Sequence, residues 1–436
     1  MMRQIIRQLL KMYRRDFTSK LNGMELTNNE EIMHNLLWHA YRNVPYYEKI
    51  FNEIGLVSNN IIDMARFNQI PVLTKELIRK NWNDLLSKDL NSREWYYNTS
   101  GGSTGEPIKL VQDDIFLKYK KYVHAYYYKN ILCIDEKQAK KVLLWGSEKD
   151  IIKGTLGLKR KFANWIDNVI FLNSFKMNEE DMDEYVHRIN KYKPEIIRSY
   201  AGSLFELCKH IEKKGLVVFK PKCIVTSAEV LSHEMRTKIE SVFGAKVYNY
   251  YGSREVNGIA GECKDGFLHI FSFWNHIEIL DDNGNATRDD REGKVVVTNL
   301  YNYSMPLIRY QIGDMATRGA CVCKCGNHLP ILSKITGRLT DHFIKTNGTM
   351  IHGEYFTHLF YLKNWVKQFQ VIQEDYKTIV IKIVKKDKFE IVDKIEIENR
   401  IKLVMGDDSI IRWEFLDQIP TTVNGKYLYT KSLVEK

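Results

Sequence analysis

What the sequence lacks narrows its class before any motif is weighed. Nothing in its 436 residues approaches the ~18 consecutive apolar residues of a membrane span. The seven cysteines are odd in number and do not resemble a secreted disulfide framework. The first fifteen residues, MMRQIIRQLLKMYRR, hold no uninterrupted apolar core of signal-peptide length. These absences together lead us to expect a cytoplasmic protein. Internal repeats and low-complexity segments are also missing. The net charge of +11 invites a nucleic-acid reading, but the 65 basic and 54 acidic residues interleave and no long basic block appears. The charge is read as solubility plus attraction for anionic ligands, with no nucleic-acid partner expected.

The length implies two domains or more, and a composition of 44% hydrophobic and 12% aromatic residues can fill large cores. Near the N-terminus Ile5, Ile6, Leu9, Leu10 and Tyr13 fall on one helical face, with Arg3, Arg7, Lys11, Arg14 and Arg15 mostly on the other. Packing against its own domain is the expected use of this helix, and a peripheral contact with an anionic membrane is the alternative. Helices are expected at 29–42, 46–54 and 74–85, and a long aromatic one at 113–130. Strands and helices then alternate: strands at 141–145, 168–172, 196–199, 223–226 and 246–250, helices at 178–191, 204–214 and 232–243. That alternation predicts an α/β protein with a mostly parallel sheet. Short strands over 266–316 suggest an antiparallel or barrel-like addition. After Gly337 a strand at 379–384, a helix at 389–404, a strand at 410–415 and an Asn424-Gly425 turn suggest a small α+β domain. The expected division is a large domain over 1–336 and a small one over 337–436.

One stretch organises the rest. Residues 99–105 read Thr-Ser-Gly-Gly-Ser-Thr-Gly between two predicted strands. Unshielded backbone N–H groups beside the hydroxyls of Thr99, Ser100, Ser103 and Thr104 suit a polyphosphate, with Gly101, Gly102 and Gly105 allowing close approach. The loop has neither the Gly-Lys-Ser/Thr ending of a Walker motif nor Gly-x-Gly-x-x-Gly spacing, and a plain surface turn is the competing reading. Four further segments stand out. Tyr248-Asn-Tyr-Tyr-Gly-Ser-Arg-Glu255 follows a predicted strand end, where α/β proteins place ligands. A tyrosine there can stack on a purine, and a carboxylate can hold a Mg²⁺ that bridges phosphates. Thr226-Ser-Ala-Glu229 ends the neighbouring strand, Asp314 closes Leu307-Ile-Arg-Tyr-Gln-Ile-Gly-Asp, and Lys426 ends Pro420-Thr-Thr-Val-Asn-Gly-Lys. Taken singly, Asp314 also reads as a turn residue, Glu255 as a solvated charge and Lys426 as the residue after a hairpin.

In this order and spacing, from about 95 to 430, these segments resemble the acyl-adenylate-forming superfamily of acyl-coenzyme A synthetases, peptide-synthetase adenylation domains and luciferases. The likeness is strongest to the phenylacetate–coenzyme A ligase branch, which includes related proteins of capsular and other surface-polysaccharide clusters. The resemblance implies a large N-terminal domain, built of mixed sheets with helices plus a barrel-like part, and a small, mobile C-terminal lid. It implies that Thr99 to Gly105 hold the ATP phosphates. Ser227, Ala228, Glu229, Tyr250, Tyr251 and Gly252 would bind the nucleotide, with Glu255 on Mg²⁺. Asp314 and Arg338 would hold the ribose hydroxyls, and Lys426 would act as the adenylate forms. Two positions depart from the pattern. Thr340, followed by Asp341, stands where a hinge aspartate is common, and Arg254 precedes Glu255 where a threonine is usual.

Cys321-Val-Cys-Lys-Cys-Gly-Asn-His328 is a weak zinc signal by spacing alone. Some relatives in the branch carry a Cys…His…Cys-x-Cys zinc site, and Cys263, His269, Cys323 and Cys325 match its order; buried inert thiols are the alternative. For the acid, His124 and Tyr127 on the aromatic helix, Tyr251, and Tyr200-Ala201-Gly202 are candidates, the small residues leaving room for a ring or short chain. The expected activity is ATP-dependent activation of a small carboxylic acid, then acyl transfer to coenzyme A. The alternatives are an amine or hydroxyl acceptor on an amino acid or sugar, and a degenerate nucleotide-binding protein without activity.

Overall fold

A computed structural model describes residues 29–100, 108–146, 164–319, 323–336, 342–360, 363, 365–386, 391–419 and 429–434. Within these the chain forms two compact units. One is drawn from 29–100, 108–134 and 251–336, the other from 135–250 and 342–434. The expected α/β character is what the structure shows. Among the described residues no helix is long and apolar enough to cross a membrane.

The second unit contains the expected parallel sheet. Val169–Asn173, Lys141–Trp145, Ile196–Tyr200, Cys223–Ser227 and residues 247–250 lie side by side, all parallel. Val142, Ile197, Ile224 and Val247 share one register row, and the helices Glu179–Tyr192, Ala201–Lys214 and His233–Phe243 bury that face through Val186, Leu207, Ile211 and Phe243. Local chemistry sets most helix ends. Asn178 and Asp181 form a reciprocal capping box, Ser232 caps Met235 N, and Gly215 and Gly244 adopt the left-handed conformation that closes a helix. The opposite face carries Tyr200, which joins Phe175, Phe343, Ile351 and Tyr355 in a second core. That core roofs a sheet ordered Ile410–Phe415, Thr378–Lys385, Val366–Gln373, Thr430–Ser432, covered by the helix Ile391–Met405. These are the elements expected of the C-terminal α+β segment.

The first unit supplies the antiparallel part. Asn275–Leu280, Glu292–Asn299, Tyr310–Arg318, Ile331–Thr336, Leu268–Ile270 and Asn257–Glu262 pair in that order. Arg309 pins its centre. With φ at +52° it sits in a region that costs a side-chain-bearing residue free energy, and its surroundings hold it there. Its guanidinium meets Glu278 through two bonds of 3.0 and 2.9 Å and donates to the carbonyls of Asn68 and Ile70.

Three helix boundaries differ from the sequence reading. The helix expected over 74–85 is only Lys75–Lys80, because the Asn81 side chain turns back to the Leu77 carbonyl and ends it. The aromatic helix ends at Tyr126 and widens into a π-turn over Tyr127–Ile131. The helix expected from 204 opens at Ala201.

Candidate functional site

In the first unit the flanks of the loop form a hairpin, Trp95–Thr99 against Lys109–Asp113 with Thr99 opposite Lys109. Ser100 closes its neck: its N–H donates to the Ile108 carbonyl and its Oγ accepts from Ile108 N, both at 2.9 Å. Gly101, Gly102, Ser103, Thr104 and Gly105 lie outside the described residues, as do Arg338 and Lys426.

The hairpin is tied to the carboxylate segment by Gln112, which is wholly buried. Its Oε1 accepts from Tyr96 Oη at 2.7 Å and Asn98 Nδ2 at 2.9 Å. Its Nε2 donates to the carbonyls of Arg254 at 3.0 Å and Glu255 at 2.9 Å. Every hydrogen-bonding position of the amide is used, and the two carbonyls fix which end is nitrogen. Burial pushes the Tyr96 phenol up to about 12, so it stays a donor.

Beyond this tie, two tyrosines lace the candidate ligand carboxylates across neighbouring segments. Tyr251 Oη donates to Asp314 Oδ2 at 2.9 Å, and Tyr310 Oη donates to Glu255 Oε1 at 3.3 Å. Each segment thus gives one carboxylate and one hydroxyl. Glu255 is buried, and Asp314 is half-buried on the strand Tyr310–Arg318. Gly252 has to be glycine, since a Cβ would come within 2.5 Å of the Asn257 carbonyl. Gln112, Arg309 and Tyr310 are the residues that sequence reasoning left without a role.

Cys263, His269, Cys323 and Cys325 come together, all four candidate ligand atoms within 4.8 Å of one another. The Cys263 and Cys323 sulfurs are 3.6 Å apart, and Cys325 Sγ lies 3.2 Å from His269 Nε2. Such edges suit a tetrahedron with bonds of about 2.0 to 2.3 Å. His269 Nδ1 lies 3.2 Å from the Leu329 carbonyl, the outer bond that turns Nε2 toward a metal, and burial lowers the ring's pKa. Backbone N–H groups of Asp265, Cys325 and Asn327 point at the sulfurs of Cys263, Cys323 and Cys325 at 3.4 to 3.5 Å. Donors aimed at every sulfur suit thiolates, so the residues present fit a zinc ion. Tyr127 stands close to this cluster's strand: it is wholly buried, its hydroxyl donates to the Glu262 carbonyl, and its ring fills the space left by Gly261. His124 is half-buried, its ring 5.0 Å from that of Tyr128.

In the second unit Tyr200, Ser227 and Tyr250 share one register row at the ends of parallel strands. Ser227 Oγ donates to the Tyr250 carbonyl at 2.8 Å. The Tyr250 phenol is driven far above its ordinary value by burial, with Arg198 pulling the other way. Arg198 lies over the Trp145 and Tyr250 rings at 5.3 and 5.6 Å. Tyr200 stacks on Trp145 at 4.1 Å, and Ala201 and Gly202 are buried behind it. Ala228 takes a φ of +71°, and Glu229 next to it accepts from Gly202 N at 2.7 Å.

Comparison with known proteins finds relatives by sequence and by fold. Residues 343–432 match the CapK C-terminal domain family. Protein CapK of Staphylococcus aureus is 26% identical over 405 residues, 88% of this chain and 84% of that protein. The phenylacetate-coenzyme A ligase of Aromatoleum evansii is 25% identical over 349 residues, 74% of each chain. Among solved structures, a 2-hydroxyisobutyryl-CoA ligase crystallised with 2-HIB-AMP and CoA shares the fold, with a TM-score of 0.61 at 16% identity over 93% of this chain and 90% of its own.

Two measurements test the site. Protein purified without chelators is expected to carry close to one zinc per chain by elemental analysis, and Cys323→Ser or Cys325→Ser to lose it together with thermal stability. Metal-free wild-type protein would return the thiols to inert core. Gln112→Glu keeps the side chain's size but turns an acceptor toward two carbonyls, at a cost of about 3 kcal/mol. A urea midpoint equal to wild type would show that the amide does not hold the segment.

Proposed function

The chain belongs to the adenylate-forming superfamily, in the branch of CapK and the phenylacetate–coenzyme A ligases, and from that premise we propose that it activates a carboxylic acid with ATP and passes the acyl group to coenzyme A. It is an AMP-forming ligase by kinship; the acid, the acceptor and the residue roles are part of the proposal. The crossed pairs Tyr251–Asp314 and Tyr310–Glu255 carry that reading, because they present two carboxylates in fixed directions beside a hairpin suited to phosphates.

In this reading Thr99 to Gly105 cradle the triphosphate with backbone N–H and hydroxyl donors. Ser227, Ala228 and Tyr250 line the adenine pocket, and Asp314 with Arg338 accepts and orients the ribose hydroxyls. Glu255 would hold the magnesium ion, whose charge offsets that of the phosphates. The acid lies along Tyr200, Ala201 and Gly202; Tyr127 is spent on packing. As the carboxylate oxygen bonds to the α-phosphorus and pyrophosphate departs, anions converge, and the Lys426 cation stabilises that transition state. On a lid of its own, the lysine can withdraw for acyl transfer. The zinc cluster, with four protein ligands, would be structural.

A second reading keeps the adenylation and changes the acceptor to an amine or hydroxyl on an amino acid or sugar. What supports it is that residues 343–432 match the CapK C-terminal domain, a family whose name specifies no coenzyme A acceptor.

Lys426→Ala should lower adenylate formation, followed as acid-dependent exchange of labelled pyrophosphate into ATP, by at least ~10². Acyl transfer from supplied adenylate should largely survive; equal loss of both steps in a folded variant would refute the lysine's role. The acceptor is decided by mass spectrometry of products formed from ATP, a panel of aromatic and short-chain acids, and either coenzyme A or amino acids and amino sugars. Thioester is the expected product, amide without thioester reverses the assignment, and no exchange with any acid points to a protein without activity.

A further inference from the structure

The helix Ala201–Lys214 is exceptional in how it begins. Its first four N–H groups need partners from outside the helix, yet Tyr200 at the cap position makes no side-chain capping bond and the first turn holds no acidic residue. The partner comes from another strand end: Glu229 Oε2 accepts from Gly202 N at 2.7 Å. A carboxylate is the group that a helix N-terminus favours, through the helix dipole and a charge-assisted bond.

Glu229 reaches that position at a cost. Its neighbour Ala228 is held at φ +71°, a conformation that persists only where the surroundings impose it. Ser227 fixes one side of the turn through its bond to the Tyr250 carbonyl. The other oxygen of Glu229, Oε1, stands 2.9 Å from His352 Nε2, close enough for an ion pair though not in hydrogen-bonding geometry, with both side chains almost wholly buried. His352 has little freedom of its own. Its backbone N–H donates to the Phe175 carbonyl, and its ring stacks against Tyr200 at 4.6 Å and Phe175 at 5.9 Å. His352 also lies inside the segment that matches the CapK C-terminal domain.

We propose that Glu229 is a positioning residue and not a nucleotide contact: it caps the Ala201–Lys214 helix from outside, His352 holds its carboxylate, and the pair sets the Tyr200–Gly202 wall of the acid pocket. One carboxylate oxygen is bonded to the helix and the other lies against His352, and both neighbours belong to that wall or stack on it. Acid recognition is thereby indexed to the C-terminal segment through one imidazole. This rests on the proposed function for the identity of the pocket, but the capping itself does not.

The test therefore has two arms. In hydrogen exchange followed by mass spectrometry, Glu229→Ala and His352→Ala should speed exchange of the amides at 201–204 by at least ~10-fold and leave the helix at 233–243 unchanged. Glu229→Gln, which retains an acceptor for Gly202 N, should restore most of the protection and serves if the alanine variant does not fold. In steady-state pyrophosphate exchange the same variants should raise KM for the acid at least ~10-fold and shift KM for ATP less than ~2-fold. Unchanged exchange at 201–204 overturns the capping role. A rise in KM for ATP with KM for the acid unchanged makes Glu229 a nucleotide contact and overturns the proposal. Should wild-type protein activate no acid, the functional reading falls and the hydrogen-exchange arm alone decides the capping.

Discussion

A single buried amide governs how the first unit presents its chemistry. Gln112 and Tyr96 are direct partners across the hairpin, and Asn98 follows Tyr96 by two residues on the same face. Three polar side chains thus share one face of the hairpin with Leu110, and Asn98 and Gln112 donate to the backbone of Arg254 and Glu255 rather than to solvent. A buried amide with all its positions filled resists movement, because shifting any one partner strands the others in a medium where an unmade bond costs about 1 to 3 kcal/mol. The glycine-rich loop and the Glu255 carboxylate thus leave from a common rigid base. The two strands that flank the loop are thereby kept in register.

Much of the fold was legible because burial follows periodicity. The strand Cys223–Ser227 is wholly buried and reads as an unbroken apolar and hydroxyl run, and Asn178 and Gly244 mark their helix ends by local chemistry alone. The helix start at Ala201 was illegible for the opposite reason: its cap is Glu229, 27 residues further along the chain. The motifs of the candidate site could be read from residue type, since hydroxyls, glycines and carboxylates in sequence announce phosphate and cation chemistry. Their supports could not. Gln112 meets its carbonyls 142 and 143 residues away, and within Lys109–Asp113 it looks like one more outward-facing polar residue. The cysteine segment lies between these extremes. Its spacing was ambiguous, and the N–H groups directed at the sulfurs, which suit the cluster to a metal, depend on the folded turns.

The way a carboxylate is held separates those kept for a ligand from those used by the fold. Glu278 is matched by the Arg309 guanidinium, so its charge is neutralised where it stands. Glu229 has one oxygen on a helix amide and the other beside an imidazole. Glu255 differs from both. Among the described residues its carboxylate is oriented by the neutral hydroxyl of Tyr310 and meets no cation. A hydroxyl fixes direction without cancelling charge, and a buried carboxylate with its charge uncancelled is costly unless a cation completes it. Under the proposed function, a cation arriving with the ligand would complete Glu255. Gln112 grips the Glu255 backbone and not its side chain, so the main chain is fixed while the carboxylate is oriented separately by Tyr310.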